Sequence, residues 1–402
     1  MDRNEPWIVT MNDARTLEPA VAITSEATVE RVSAGSILTA QIRKRLPARE
    51  KDFVLDVDFQ AAAGFTILFG ASGAGKTTLL DCISGLATPD AGRIAIGDRI
   101  VFDLAQQINL AVRKRRIGYL FQDLALFPHM TVEQNVEYGL THLPRGERAK
   151  SVSGILQEFK IADLAQRSAR EISGGEAQRA ALARTLVIDP ALLLLDEPLT
   201  ALDTPTKGKI IDDLREWNRA HRIPVLYVTH SREEVFALGE RVIVLDCGRI
   251  VAQGTPHQVM SAPMQETVAQ LAGFENIFDA EVDAVSTERG TMTCRIPGND
   301  GGAVLLETPL VRVDAGSALR IGIRAGDILL ATSLPVGLSA RNVIPGRIQS
   351  LEQRDVIVVA RINCGVEMEV HLTLAARDAL QLTSGKEVWL VIKTHSCHLM
   401  QR

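Results

Sequence analysis

The chain has 402 residues, 46% of them hydrophobic but only 4% aromatic, and a formal net charge of −5. This length suggests two or three domains with largely aliphatic cores, and the acidic balance gives no general electrostatic case for nucleic acid or an anionic membrane surface as partner. The five cysteines are dispersed with no C-x-x-C pair, which argues against a disulfide framework and fits a reducing cytoplasm. No apolar run approaches the roughly 18 residues of a membrane span, and no signal peptide is visible.

In chain order, residues 1–36 carry no periodicity and no motif and read as an extension of unknown role. From Phe53 onward Phe53, Leu55, Val57 and Phe59 alternate with Val54, Asp56, Asp58 and Gln60, the pattern of a half-buried strand. An apolar strand at 65–69 leads into a Gly-rich loop at 70–77 and a helix ending near Gly85. A strand and turn follow at 93–98, then a buried strand at 117–121 ending on Gln122. Residues 131 to about 187 form a helical insertion, marked by Val132, Val136 and Leu140 and by Ile155, Leu156 and Phe159. The run Leu192-Leu193-Leu194-Leu195 is continuously apolar and ends on Asp196-Glu197, as expected of a strand covered on both faces in a parallel sheet. A helix containing Ile210, Leu214 and Trp217 precedes a strand at 225–229 that delivers His230, and 241–251 reads as a hairpin turning at Cys247-Gly248. After about Gly273 short alternating strands predominate, including 318–324, 356–363, 366–374 and 388–393, and predict a small all-β, barrel-like region. His395-Ser396-Cys397-His398 reads as polar residues near a frayed C-terminus rather than a metal site.

The loop Gly70-Ala71-Ser72-Gly73-Ala74-Gly75-Lys76-Thr77 fits G-x-x-x-x-G-K-[ST] in its strand–loop–helix context. Its glycines let successive N–H groups face phosphate oxygens, and the helix N-terminus adds a positive dipole end. Lys76 is expected to reach the β- and γ-phosphates and the Thr77 hydroxyl to hold Mg²⁺. A chance match arises in roughly 1–2% of chains of this length. Asp196 and Glu197 close a strand where an open α/β sheet places its nucleotide site. One carboxylate can hold Mg²⁺ and the other can orient or deprotonate the attacking water. His230 is expected to contact the γ-phosphate. Ser173, Gly174 and Gly175, at the start of a helix, offer a hydroxyl and N–H groups to a second phosphate, which makes sense if they serve the nucleotide of a partner subunit.

These residues, in this order, resemble the ATP-binding subunit of ABC transporters over about 37–270. The resemblance rests on the P-loop at 70–77, the glutamine-loop Gln122, the signature Ile172-Ser173-Gly174-Gly175-Glu176, the strand end Asp196-Glu197, the D-loop Ala201-Leu202-Asp203 and the switch His230. The signature carries Ile172 and Glu176 where Leu and Gln are commonest. Arg45 and Leu46 occupy the region of the family's adenine-stacking aromatic, leaving Phe53 as a weak substitute. The segment Leu126-Phe127-Pro128-His129-Met130-Thr131-Val132 resembles bacterial importer ATPases. Segments 339–346 and 388–394 resemble the molybdate-binding MOP/TOBE domain of molybdate importers, and 321–328 resembles an earlier part of that region.

The resemblance implies an α/β P-loop NTPase, an ABC cassette at 37–272 with a helical subdomain at about 131–187, followed by an OB-type β domain at 276–402 with its core motif at 338–402. It implies an ABC-type transport ATPase that uses ATP and Mg²⁺ to power molybdate import. Glu197, His230 and Gln122 would be catalytic. Residues 70–77, Asp196, Ser173, Gly174, Gly175 and Asp203 would bind ATP, and Thr77, Gln122 and Asp196 would hold Mg²⁺. Ser339, Arg341, Lys393 and Thr394 would contact an oxyanion, with molybdate as a regulatory ligand. The implied partners are a second copy of the chain, a transmembrane molybdate permease and, indirectly, a periplasmic or extracellular molybdate-binding protein, with no nucleic acid. The implied location is the cytoplasmic face of the inner membrane. The alternatives are an importer ATPase for tungstate, sulfate or another solute, and a soluble ABC ATPase acting on nucleic acid or ribosomes.

Overall fold

A computed structural model describes residues 37–47, 52–200, 202–261, 263–298 and 301–400, all within the compact unit Gly35–Arg402. The extension at 1–36 and Ala201 lie outside the described residues.

The alternation beginning at Phe53 forms β2 (Phe53–Ala61), and it pairs antiparallel with β1 (Leu38–Leu46), which the sequence reading did not find. β3 (Gly64–Phe69) is buried at every residue and feeds the Gly-rich loop and α1 (Lys76–Ser84). Strands β4 (Ala91–Ile96), β5 (Arg99–Asp103) and the short β6 (Ile108–Asn109) extend the sheet beyond β1, and β7 (Ile117–Leu120) lies at its other edge. The helical insertion supplies α2 (Val132–Glu137), α3 (Arg145–Glu158) and α4 (Gly174–Leu186). Capping boxes start α2, with Thr131 and Gln134, and α4, with Ser173 and Glu176, so each satisfies two end-of-helix donors. β8 (Leu192–Asp196), α5 (Thr204–His221), β9 (Pro224–Val228), α6 (Arg232–Leu238), the hairpin β10 (Arg241–Asp246) and β11 (Arg249–Gly254), and α7 (Glu266–Leu271) complete this part. The hairpin turns at Cys247 and Gly248, both at positive φ.

The strand order of the resulting sheet is β6-β5-β4-β1-β2-β11-β10-β3-β9-β8-β7. Its β10-β3-β9-β8-β7 portion is parallel. Strands β8 and β9, like β3, expose no residue, so two apolar clusters cover the sheet from opposite sides. The helical insertion is tied to α5 by Asp213, a buried carboxylate that meets Lys160 at 2.7 Å and Arg179 of α4 at 2.8 Å.

The C-terminal region is all-β apart from α8 (Leu374–Ala379), and it consists of two interlocked five-stranded sheets. The first half contributes β12 (Asn276–Ser286), β13 (Thr291–Pro297), β14 (Ala303–Pro309), β15 (Ala318–Ile323) and β16 (Leu329–Ala331). The second half repeats the plan with β17 (Asn342–Arg354), β18 (Ile357–Asn363), β19 (Glu367–Thr373), β20 (Glu387–Ile392) and β21 (His398–Met400). The repeat is detailed. Asn276 pairs with Ile323 in one sheet and Asn342 with Ile392 in the other. Each asparagine side chain makes two hydrogen bonds to one backbone residue of the opposite sheet, Asn276 with Glu369 and Asn342 with Glu307. The halves exchange their last strands, since β16 pairs with β20 and β21 pairs with β15. The expected frayed tail at 395–398 is therefore corrected. Cys397 is buried in the β core, its thiol pushed up to about 12 mainly by that burial, and Met400 is buried among residues of the first part.

Arg115 is fully buried despite its size. Its Nη1 donates to the carbonyls of Cys82 (3.1 Å) and Ile83 (2.7 Å) at the end of α1, Nε donates to Leu110 O, and Nη2 to Asn109 Oδ1. Gly85 ends α1 at φ 90° with the guanidinium against it, where a Cβ would meet Arg115 Cζ at 2.6 Å. Arg115→Met removes every one of these donors and leaves buried carbonyls unpaired. It should destabilise the protein by about 2–3 kcal/mol, read as a lowered urea midpoint.

Candidate nucleotide site

Four parallel strands end at the same edge of the sheet, and each delivers a polar residue there: β3 the Gly-rich loop, β7 Gln122, β8 Asp196-Glu197 and β9 His230. A cavity of about 620 Å³ joins them, lined by Gly70, Ser72, Gly73, Gly75, Lys76, Thr77, Gln122, Asp196, Glu197 and His230 together with Leu46 and Phe53. Lys76 is buried, and its ammonium donates to the carbonyls of Gly70 (2.9 Å) and Ala71 (2.8 Å). Burial lowers its pKa, opposed by the nearby Glu197 and Asp196 charges. Thr77 Oγ1 donates to Asp196 Oδ2 at 2.9 Å. Burial raises the Asp196 pKa, that hydrogen bond opposes it, and the Glu197 charge adds to it. A hydroxyl and a carboxylate in contact at the end of a phosphate loop suit a hard cation that takes its other oxygens from phosphates and water. Among the described residues no three His, Cys, Asp or Glu side chains gather to hold a metal by themselves.

Glu197 adopts φ 46°, a left-handed conformation that costs a non-glycine residue on the order of 1–3 kcal/mol. Its N–H donates to Val228 O of β9 at 3.1 Å, and the Thr200 hydroxyl reaches its carbonyl and its Oε2, each at 3.2 Å. The carboxylate is thereby turned toward His230, whose Nδ1 lies 3.3 Å from Glu197 Oε2. The sequence reading missed Thr200, although its position three residues after Glu197 is the spacing of a hydroxyl cap.

Ser173, Gly174, Gly175 and Asp203 do not line this cavity. They share a second one, of about 570 Å³, with Lys160, Glu176, Arg179, Leu202, Thr206 and Lys209. Glu176 accepts from the Ser173 N–H (2.7 Å) and hydroxyl (2.8 Å), and these bonds lower its pKa. The departure from glutamine at this position thus becomes one arm of a capping box. Asp203 caps α5 by accepting from Thr206 N.

The expected oxyanion quartet is split. Ser339 and Lys393 line a cavity of about 300 Å³ with Asp327, Ala340 and Ser396. Arg341 lies instead 3.7 Å from Glu307, and the Thr394 hydroxyl donates to the same carboxylate at 3.4 Å. At the repeat-equivalent place in the first half, the guanidinium of Arg324 stacks 4.2 Å over Phe274, and His398 meets that ring edge-on.

A family model described as ABC transporter matches residues 54–200, and one described as TOBE domain matches 338–399. The molybdenum import ATP-binding protein ModC of Rhizobium meliloti is 36% identical over 85% of this chain and 95% of its own length. The chain belongs to the ModC family of molybdenum import ATP-binding proteins. Its match to the ModC of Vibrio cholerae is 38% identical over 78% of this chain and 83% of that protein. A solved ABC transporter cassette, the dimeric MJ0796, is 29% identical over 55% of this chain and 98% of its own, with a TM-score of 0.48. As a ModC-family chain this is an ABC-type ATPase cassette carrying a C-terminal TOBE domain.

Phe53 stands opposite Leu46 in the β1–β2 ladder, and its ring is so close to Gly75 that a Cβ there would meet it at 2.8 Å. It is the aromatic side chain lining the phosphate-loop cavity. If the base stacks on Phe53, Phe53→Ala should weaken ATP binding by about 5- to 20-fold, the loss of one base–aromatic stack, while leaving turnover at saturating ATP within about two-fold. Titration with a fluorescent ATP analogue and steady-state kinetics check the two parts.

Proposed function

We propose that this chain is the ATP-hydrolysing subunit that powers molybdate import, with residues 37–272 as the ATPase domain and 276–402 as a regulatory β domain. It works as a head-to-tail pair docked on the cytoplasmic side of a membrane-spanning permease. Among the described residues no helix is long and apolar enough to cross a membrane. The observation that carries the reading is the division of the nucleotide-binding groups between two cavities of one chain, the second lined by Ser173, Gly174, Gly175 and Asp203. A second copy facing the first would set its Ser173 cluster over the first copy's Lys76 loop, and two such sites would close together.

In this reading the N–H groups of residues 70–77 and the freed Lys76 ammonium hold the phosphates of ATP. Thr77, Gln122 and Asp196 would hold Mg²⁺, which when bound would supply charge neutralisation to the phosphates. Glu197 accepts a hydrogen bond from the attacking water and draws its proton, while His230 steadies Glu197 and faces the γ-phosphate. The pinned, left-handed backbone of Glu197 removes the entropy of orienting that carboxylate. Ser339 and Lys393, and Arg341 and Thr394 once released from Glu307, are the groups offered to a tetrahedral oxyanion that reports its cytoplasmic level.

Glu197→Gln should retain ATP binding, lose at least about 10²-fold in turnover and accumulate as an ATP-bound dimer in size-exclusion chromatography. Near-normal turnover would remove Glu197 from its role. Ser173→Arg should block hydrolysis while a single chain still binds ATP, and mixing it with Lys76→Ala chains should restore one composite site. Full activity of Ser173→Arg alone would rule out the head-to-tail arrangement. Calorimetry of the full chain with molybdate, tungstate and sulfate tests the regulatory domain, and silence toward all three at millimolar concentration would remove that role.

A further inference from the structure

In the ATPase reading the switch histidine serves the chain's own nucleotide and the D-loop serves its partner's. A buried carboxylate lies between them. Glu234, one turn into α6, is nearly inaccessible and has no catalytic assignment. Its Oε2 accepts from the Thr229 hydroxyl at 2.7 Å and the Tyr227 hydroxyl at 2.9 Å. Its Oε1 faces Lys207 Nζ at 3.5 Å. Lys207 sits on the first turn of α5, and its N–H donates to the carbonyl of Asp203, the D-loop residue that caps this helix.

The Thr229 hydroxyl is shared in both senses, donating to Glu234 and accepting from the N–H of Ser231 at 2.9 Å. Thr229 and Ser231 flank His230, so the peptide unit that follows the histidine is fixed by an oxygen of the residue before it, whose proton is held by Glu234. The Ser231 side chain in turn accepts from Glu234 N, starting α6. The carboxyl group thus holds β9, α6 and α5 in one register, and a buried polar group of this kind is tolerated only with its hydrogen-bonding partners in place.

We propose that Glu234 and Lys207 form a positioning strap that sets His230 against Glu197 and couples the switch loop to the D-loop within one chain. Neither residue touches nucleotide. Their work is to hold the 3.3 Å contact of His230 Nδ1 with Glu197 Oε2 while Asp203 faces the partner copy. A shift of α5 as two chains close is transmitted through Lys207 to Glu234, through Thr229 to His230, and so to the base. The inference rests on the ATPase reading given above.

The test is steady-state ATP hydrolysis by the full chain, with E234Q, K207M, the double variant and K207R. E234Q and K207M should each lower kcat by about ten-fold or more, within the cost of misplacing a catalytic group, with KM for ATP within about two-fold of wild type. The double variant should fall no further than the lower single variant, because both changes break one link, and K207R should return kcat to within about three-fold of wild type. Active-site content is set by titrating bound ATP, so loss of folded protein does not count as loss of turnover. If E234Q does not fold, K207M and K207R, at the more exposed partner, carry the test. Singles within two-fold of wild type in kcat, additive losses, or a KM rise matching the kcat fall would overturn the strap and leave the ATPase reading intact. A wild-type chain without ATPase activity would overturn both.

Discussion

The structure depends first on the side-by-side parallel pairing of β3, β9 and β8, three strands with no exposed residue. Strands of that kind cannot end in apolar residues without exposing them, so their C-terminal edge is where polarity returns. The Gly-rich loop, Asp196-Glu197 and His230 all appear at this edge because the pairing register puts them there. The hydrogen bond from Thr77 to Asp196 and the contact of His230 with Glu197 are cross-links between neighbouring strand ends. The backbone strain at Glu197 is held by the same geometry, since its N–H is satisfied by Val228 of the adjacent strand.

A second constraint acts on the helical insertion. Asp213 is buried between Lys160 and Arg179, and through Arg179 it fixes the start of α4 against α5. Ser173 and Asp203, far apart in sequence, therefore come to line one cavity. That cavity presents amide groups, the cationic side chains Lys160, Arg179 and Lys209 and two carboxylates engaged in helix caps, Glu176 and Asp203, whereas the other holds the Gly-rich loop, Lys76 and Glu197 and lacks this cluster. The two are complementary in chemistry, which is the physical reason for reading the working unit as more than one chain.

What was legible in the sequence was what is local. The loop at 70–77, the aliphatic run ending at Asp196-Glu197, the helix start at Ser173 and the strand before His230 each carry their signal within a few residues, and each lies where that signal puts it. Contacts between distant segments were not legible. Strand β1 alternates weakly in burial toward Leu46, and its role in bringing Leu46 beside Phe53 follows only from pairing. The oxyanion quartet was read as one cluster, but Glu307, 34 residues before Arg341 in sequence, draws Arg341 and Thr394 away from Ser339 and Lys393. The repeat had a trace in sequence: Asn276 and Asn342 each open a long strand after a charged residue. It is faint because what repeats is burial, not residue identity.

The exchange of β16 and β21 has a consequence for how the C-terminal region holds together. Each sheet borrows its edge strand from the other half, so neither half can complete its own hydrogen-bonding ladder. The stretch 338–399 matched by the TOBE model would retain β20 without β16 and β21 without β15. A chain cut there is half of a clasp. The two halves should therefore melt as one cooperative unit, and an ordered second half reports an ordered first. β21 ends in Met400, which is buried in the same apolar cluster as Phe274 and Val268, so the strand that closes the clasp also closes its seam with the first part of the chain.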